Sequence, residues 1–193
     1  MELSLESLTG IVLGLGLAAA TGLRVFLPLL VAAIAARWGL LPLSDGFAWL
    51  ASGTAIAMLA TASIAEILAY YIPGLDHALD VLASPATVAA GTIASASVMV
   101  DLPPWVLWPV ALIAGGGVAG LTKGTTALVR AGSGAATVGI SNPIISTMET
   151  LGATGLAALA IALPVIALLL IGVTLYLIYH LARKARTVVF GAR

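Results

Sequence analysis

From Ile11 to Ala36 the chain runs for 26 residues with one charged side chain, Arg24. A helix needs about 20 apolar residues to cross ~30 Å of hydrocarbon, so a run of this length is stable in lipid or deep inside a large core. The remainder of the chain decides between the two. Of its 193 residues, 61% are hydrophobic and 8% are charged, with a mean hydropathy of +1.16. Soluble domains carry about 25% charged residues, and so few polar side chains cannot cover a globule. The fold class is therefore all-α: a single polytopic domain of transmembrane helices, with the lipid bilayer as its solvent.

By the same length criterion, the sequence predicts about six spans, at 11–36, 47–72, 85–100, 105–129, 143–163 and 164–181, followed by a basic tail at 182–193. The last two spans meet at Leu163–Pro164 with almost no linker. One long kinked helix is the competing reading there, but about 39 residues is too much for a single crossing. Lys and Arg near helix ends set orientation. Arg183, Lys184, Arg186 and Arg193 place the tail in the cytoplasm, and an even number of spans would bring the N-terminus there too. Only Arg37 would then face outward, and Trp38, Trp49, Trp105 and Trp108 would all fall at outer ends, as an interfacial aromatic belt does. The opening MELSLES is acidic, unlike the positively charged start of a secretory signal, so the first apolar stretch reads as a retained span. The predicted location is a membrane crossed several times, with both termini in the cytoplasm.

Other classes are excluded by what is missing. Formal net charge is zero and no basic patch lies outside the tail, which argues against a nucleic-acid partner. Cysteine is absent, so there is neither a disulfide framework nor a thiolate metal site. No GxSxG, HExxH, DxDxDG or phosphate-loop pattern occurs, and no cofactor motif. His77 and His180 are the only imidazoles. The chain reads as a non-enzyme.

Ionisable side chains inside a bilayer are costly and are functional candidates by default. There are four: Arg24, Glu66, Lys123 and Glu149. At 1.5 Å per residue, Arg24 lies about 20 Å into the first span, near the midplane. Glu66 lies about 28 Å and Lys123 about 27 Å from the outer starts of their spans, and Glu149 about 9 Å from an inner start. The last three should share one layer on the cytoplasmic side, where opposite charges can neutralise one another. Snorkelling of Lys123 to the headgroups is the structural alternative. Pro28 follows Arg24 by one turn and removes a backbone bond beside that charge, so the first span should be broken there.

Further breaks are expected at Pro73, Pro85, Pro143 and Pro164. Ser84-Pro85 and Asn142-Pro143 read as helix starts. The Glu66–Pro85 and Lys123–Pro143 intervals, 19 and 20 residues, suggest an internal repeat of parallel two-span units, with an inverted three-plus-three division as its rival. Gly115, Gly116, Gly117 and Gly120 give the fourth span a smooth face, read either as tight helix packing or as a hinge or pore lining. Asp76, His77 and Asp80 share a helical face beside the membrane and could form a cytoplasmic mouth or contribute oxygen ligands to a hard cation. A solvated connector is the plainer reading.

Four stretches, GLAAATGLRVFLPLL, Glu66 through IPGLDHALD, LTKGTTALVR and SNPIISTMETLG, resemble a bacterial family of uncharacterised membrane proteins, domain of unknown function 4126. They occur in the family's order and cover most of the chain. In that pattern two acids often follow the SNP segment, whereas Met148-Glu149-Thr150 keeps one here. The resemblance implies a small helical inner-membrane protein and no particular substrate. Taken together, the residues point to a transporter or channel for a small ion or solute, controlled by Arg24, Glu66, Lys123 and Glu149. A proton-linked step is allowed by a desolvated carboxylate, and an oligomer is expected because one copy is small. The alternative is a scaffold or lipid-interacting protein whose charges only fix helix packing.

Overall fold

A computed structural model describes residues 5–72, 75–137 and 142–190 of the chain. Among them every regular element is helical. Eight α-helices follow in order: α1 Leu5–Leu23, α2 Leu27–Arg37, α3 Gly53–Ala69, α4 Leu75–Val98, α5 Pro104–Val110, α6 Gly117–Thr137, α7 Asn142–Ala162 and α8 Pro164–Phe190. A 3-10 segment, Asp45–Ala51, precedes α3, and a π-helical segment, Ala111–Gly116, joins α5 to α6. Three lengths are long and apolar enough to cross a membrane: Leu5–Leu23, Pro104–Gly134 and Asn142–Ala162. Asp45–Ala51 with Gly53–Ala69, bent by 68°, makes a fourth. The six spans read from the sequence are therefore not all present as such.

The largest departure is at the start. The apolar run 11–36 is not one broken span but two helices that fold back on each other. Leu5, Glu6 and Gly10 of α1 line the same cavity as Leu40, Leu41 and Pro42, just past the end of α2. Leu29 and Ala32 of α2 share a buried core with Leu13 and Leu17 of α1. The chain therefore turns at residues 24–26 and returns. At about 16 Å, α2 is half the length of a crossing. Hydropathy cannot register such a turn, because Leu23, Val25, Phe26 and Leu27 are as apolar as the helices on either side.

Around this hairpin the other helices alternate in direction. A Cβ on Gly10 of α1 would meet Val98 of α4, and one on Gly14 would meet Ser95, so α1 and α4 are antiparallel. Gly91 faces Ala119 and Gly115 faces Ser95, which makes α4 antiparallel to α5–α6 as well. Gly16 contacts Ala160 while Gly152 contacts Leu23, so α7 also opposes α1. α8 starts at Pro164 beside Leu5 and reaches Leu170 and Thr174 beside Leu23. Among the described residues, seven lengths of helix thus lie side by side, counting α5–α6 as one. With an odd number, Leu5 lies at one end of the bundle and α8 runs toward the other, contrary to the even count read from the sequence.

Small residues explain the closeness of the packing. In lipid there is no hydrophobic gain from pressing helices together, so contact depends on dispersion, which requires near approach. A Cβ on Gly22 would sit 2.4 Å from Thr122 Cβ and 2.6 Å from the Ala119 carbonyl oxygen. Gly115 and Gly116 are buried against Ser95, Gly91 and Thr92 of α4. Their role is helix contact rather than pore lining. Pro109, inside α5, cannot donate to the preceding turn, and the π-helical segment follows directly.

Prolines do not all act as expected. Pro28 is the second residue of α2, Pro143 the second of α7, and Pro164 the first of α8, so each starts a helix. Leu163 is the only residue between α7 and α8, which are two separate helices. Pro85 instead lies inside α4, which begins ten residues earlier at Leu75. Neighbouring helices let a membrane helix tolerate such a proline. Pro85 and Pro143 are therefore not matching helix starts, as the two-span repeat register expected. Pro73 lies outside the described residues.

Candidate functional site

The tip of the α1–α2 hairpin is where the chain's buried charges meet. Residues 24–26 leave helical geometry, and the Arg24 amide closes α1 by donating to the Ala20 carbonyl at 3.2 Å. The next two amides need partners, because the first donors of a helix have none within it. Glu66 of α3 supplies them. Val25 N–H donates to Glu66 Oε1 at 2.8 Å and Phe26 N–H to Oε2 at 3.1 Å. A carboxylate there also opposes the positive end of the α2 dipole. Pro28 brings no amide of its own to this crowded end. Glu66 is thus a cap fetched from 40 residues away.

Arg24 is buried at 1% exposure. Its Nε donates to Thr150 Oγ1 at 3.1 Å. Its Nη2 donates to the Ser146 carbonyl at 2.9 Å and to Ser146 Oγ, and lies 3.6 Å from Glu149 Oε2. Glu149, also buried, forms a second ion pair with Arg130 of α6. Tyr70, at the end of α3, is the common surface. The Arg24 and Arg130 guanidinium carbons lie 4.3 and 4.7 Å from its ring centroid, and Lys123 Nζ lies 5.2 Å from it. Lys123 also donates to the Tyr70 hydroxyl at 2.8 Å. Cations over an aromatic face are attracted by its quadrupole, by ~2 kcal/mol or more when desolvated.

The expected layer of Glu66, Lys123 and Glu149 is therefore present, and Lys123 is buried rather than snorkelling. Arg24 belongs to the same layer instead of the midplane, because α1 begins at Leu5 and Arg24 comes about 28 Å along it. Sequence reasoning missed four members. Arg130 reads as a loop residue if the helix stops at Val129, but α6 continues to Thr137. The signal was its seven-residue spacing from Lys123, two turns along one face. Tyr70 is one turn from Glu66, and Ser146 and Thr150, four apart on one face of their helix, bracket Glu149. Asp76, His77 and Asp80 fall in the first turns of α4, and their side chains lie outside the described residues. Among the described residues no group of three His, Cys, Asp or Glu side chains could hold a metal.

The bundle's other end has a different character. Trp38, Trp49, Trp105 and Trp108 are all exposed there, with Trp108 6.1 Å from Phe47 ring to ring. Asp101, at φ 60°, turns the chain between α4 and α5 in the left-handed region that Asp tolerates better than most residues. A separate open groove of about 280 Å³ runs beside the charged layer, lined by Leu23, Thr122, Thr126, Gly152, Leu156 and Thr174 among others. The hydroxyls of Thr122, Thr126 and Thr174 donate to carbonyls of their own helices, so the groove is apolar in practice.

A family profile described as Domain of unknown function (DUF4126) matches residues 11–184. No curated protein and no solved structure matches. The match spans nine-tenths of the chain, which belongs to that family.

Proposed function

We propose that this member of the DUF4126 family carries a small solute across a cytoplasmic membrane, with the hairpin tip as its binding and gating point. One observation carries the reading: three cations from the α1–α2 turn and α6 converge on one tyrosine, and two carboxylates, Glu66 of α3 and Glu149 of α7, hold the turn and the guanidinium groups around it. Intramembrane charges are expensive and are kept where they face a pathway or one another. A half-length helix ending at such a cluster is how many carriers present backbone donors to a substrate. The Glu66 cap and the Glu149 ion pairs would hold the tip closed, and exchange of those partners for solute would open it. A proton on either carboxylate would loosen the same contacts.

The orientation follows from charge. The tip end carries Lys123, Arg130 and the Arg183–Arg186 tail, so by the positive-inside rule it faces the cytoplasm. The acidic first residues and the tryptophans then face outward, which reverses the N-terminus read from an even span count. Several copies would assemble around the path, since one chain of 19.3 kDa encloses little.

A second reading, a non-transporting scaffold, is favoured by Glu66 itself, because bonding two backbone amides is also what a purely structural cap does. Reconstitution separates them. Proteoliposomes should pass at least one solute from a panel of inorganic ions and small organic acids and bases. Glu149→Gln, which leaves two buried guanidinium groups without their carboxylate, should cut that flux at least tenfold while the protein still elutes as folded. An inert wild type across the panel rejects transport.

A further inference from the structure

We infer that the hairpin tip binds a small oxyanion, a carboxylate or phosphate group, held by Nη1 of Arg24 beside Tyr70. This deepens the proposed function by naming its substrate class, although binding itself does not require transport. The starting point is one nitrogen. Arg24 is 1% exposed and fills most of its donor positions with Thr150, Ser146 and Glu149, yet its Nη1 has no hydrogen-bond partner. A buried charged donor without an acceptor is costly, and native structures rarely leave one. The missing acceptor does not come from the carboxylates nearby. Glu149 is engaged by Arg130 and Arg24, and both oxygens of Glu66 are taken by the Val25 and Phe26 amides.

The surroundings select the charge of the missing group. Arg24, Arg130 and Lys123 all lie within 5.2 Å of the Tyr70 centroid, and with the two carboxylates of the cluster, Glu66 and Glu149, these five side chains carry a formal charge of three minus two, or +1. A cation is repelled there, and an anion is favoured over water. With Nε and Nη2 already bonded to Thr150 and Ser146, Nη1 alone is left to donate, and a charge-assisted bond from it to an anionic oxygen is shorter and stronger than one to a neutral acceptor. The two candidate sources share this chemistry: a free oxyanion from the aqueous side, or the headgroup of an anionic lipid at the same depth.

Isothermal titration decides. Protein in phospholipid-free detergent is titrated with sodium phosphate or sodium acetate against sodium chloride at equal ionic strength. Nanodiscs of phosphatidylcholine with and without phosphatidylglycerol form the lipid arm, read by thermal shift of tryptophan fluorescence. The expected result is saturable binding of a free oxyanion, weakened at least tenfold in Arg24→Lys, which keeps the charge but has no second nitrogen to donate to the anion while the first holds Thr150 and Ser146. Stabilisation by phosphatidylglycerol alone, lost in Arg24→Lys, assigns the oxyanion to lipid. Should Arg24→Lys fail to fold, Thr150→Val, which removes the acceptor that aims Nε, serves in its place with an expected loss of at least threefold. No oxyanion response in either arm of the wild type overturns the inference, as does equal affinity in the variants. Binding without flux would retain the site and reject transport. Flux of cations alone, without oxyanion binding, would do the reverse.

Discussion

Replacing Glu66 is the sharpest probe of the hairpin. Its carboxylate makes two bonds to backbone amides, at 2.8 and 3.1 Å, across 40 residues of sequence. A hydrogen bond to a charged group contributes about 1.5–3 kcal/mol, and an anion at a helix N-terminus adds about 0.3–1 kcal/mol. Glutamine keeps one acceptor but turns an NH₂ group toward the second amide, so Glu66→Gln should cost about 2–4 kcal/mol, one such bond plus the dipole contribution. Alanine loses both bonds and the dipole contribution, about 3–7 kcal/mol. Half-burial of Glu66 and exposure of Phe26 let water recover part of this, which puts Glu66→Ala toward the lower bound. The assay is reversible unfolding by SDS in mixed micelles. It is followed through the four tryptophans, which sit at the opposite end and so report the whole bundle. A change of 2 kcal/mol is about a 30-fold shift in the unfolding constant. Stabilities of both variants within about 0.5 kcal/mol of wild type, or an alanine variant more stable than the glutamine one, would show that Glu66 does not secure the turn.

Two further outcomes follow from the packing and the helix directions. Gly22→Ala would place a methyl 2.6 Å from a backbone carbonyl oxygen and should cost about 1–3 kcal/mol by overpacking. Gly117→Ala, with nothing within 4 Å, should be neutral or stabilising by up to about 1 kcal/mol, since alanine suits a helix better; denaturation of the pair side by side checks both. In the naturally cysteine-free chain, Leu5→Cys and Asp45→Cys should react with an impermeant maleimide from one face of the membrane and Ala131→Cys from the other. Labelling of Leu5→Cys and Ala131→Cys from the same face would contradict the odd number of helical lengths.

The sequence made the class legible, because a chain with so few charges has only lipid to dissolve in. It also placed Glu66, Lys123 and Glu149 at one depth, since helical rise converts residue counts into distance wherever a helix is continuous. That conversion failed for Arg24, whose helix starts at Leu5 rather than Ile11. Pro28 marked a break beside Arg24, but the turn at 24–26 has none of the Gly, Asn or Asp that usually mark a reversal, and its amides are capped from another helix, so no local pattern shows that the chain doubles back there. Arg130 was hidden by a different effect: α6 continues as a helix beyond the apolar stretch, and hydropathy ends before the helix does. Tyr70 became meaningful only when three cations were found around it, a convergence that no single stretch of sequence contains.

The join at Leu163–Pro164 limits how the bundle can move. Leu163 donates back to Leu159, and its own carbonyl receives the Ala167 amide, so α7 and α8 are hinged through a single residue tied to both. A swing of α8 about this join strains one or both of those bonds. Ser146, Glu149 and Thr150, on the α7 side of it, grip Arg24 like one jaw of a clamp, with the Glu66 that holds the α1–α2 turn as the other.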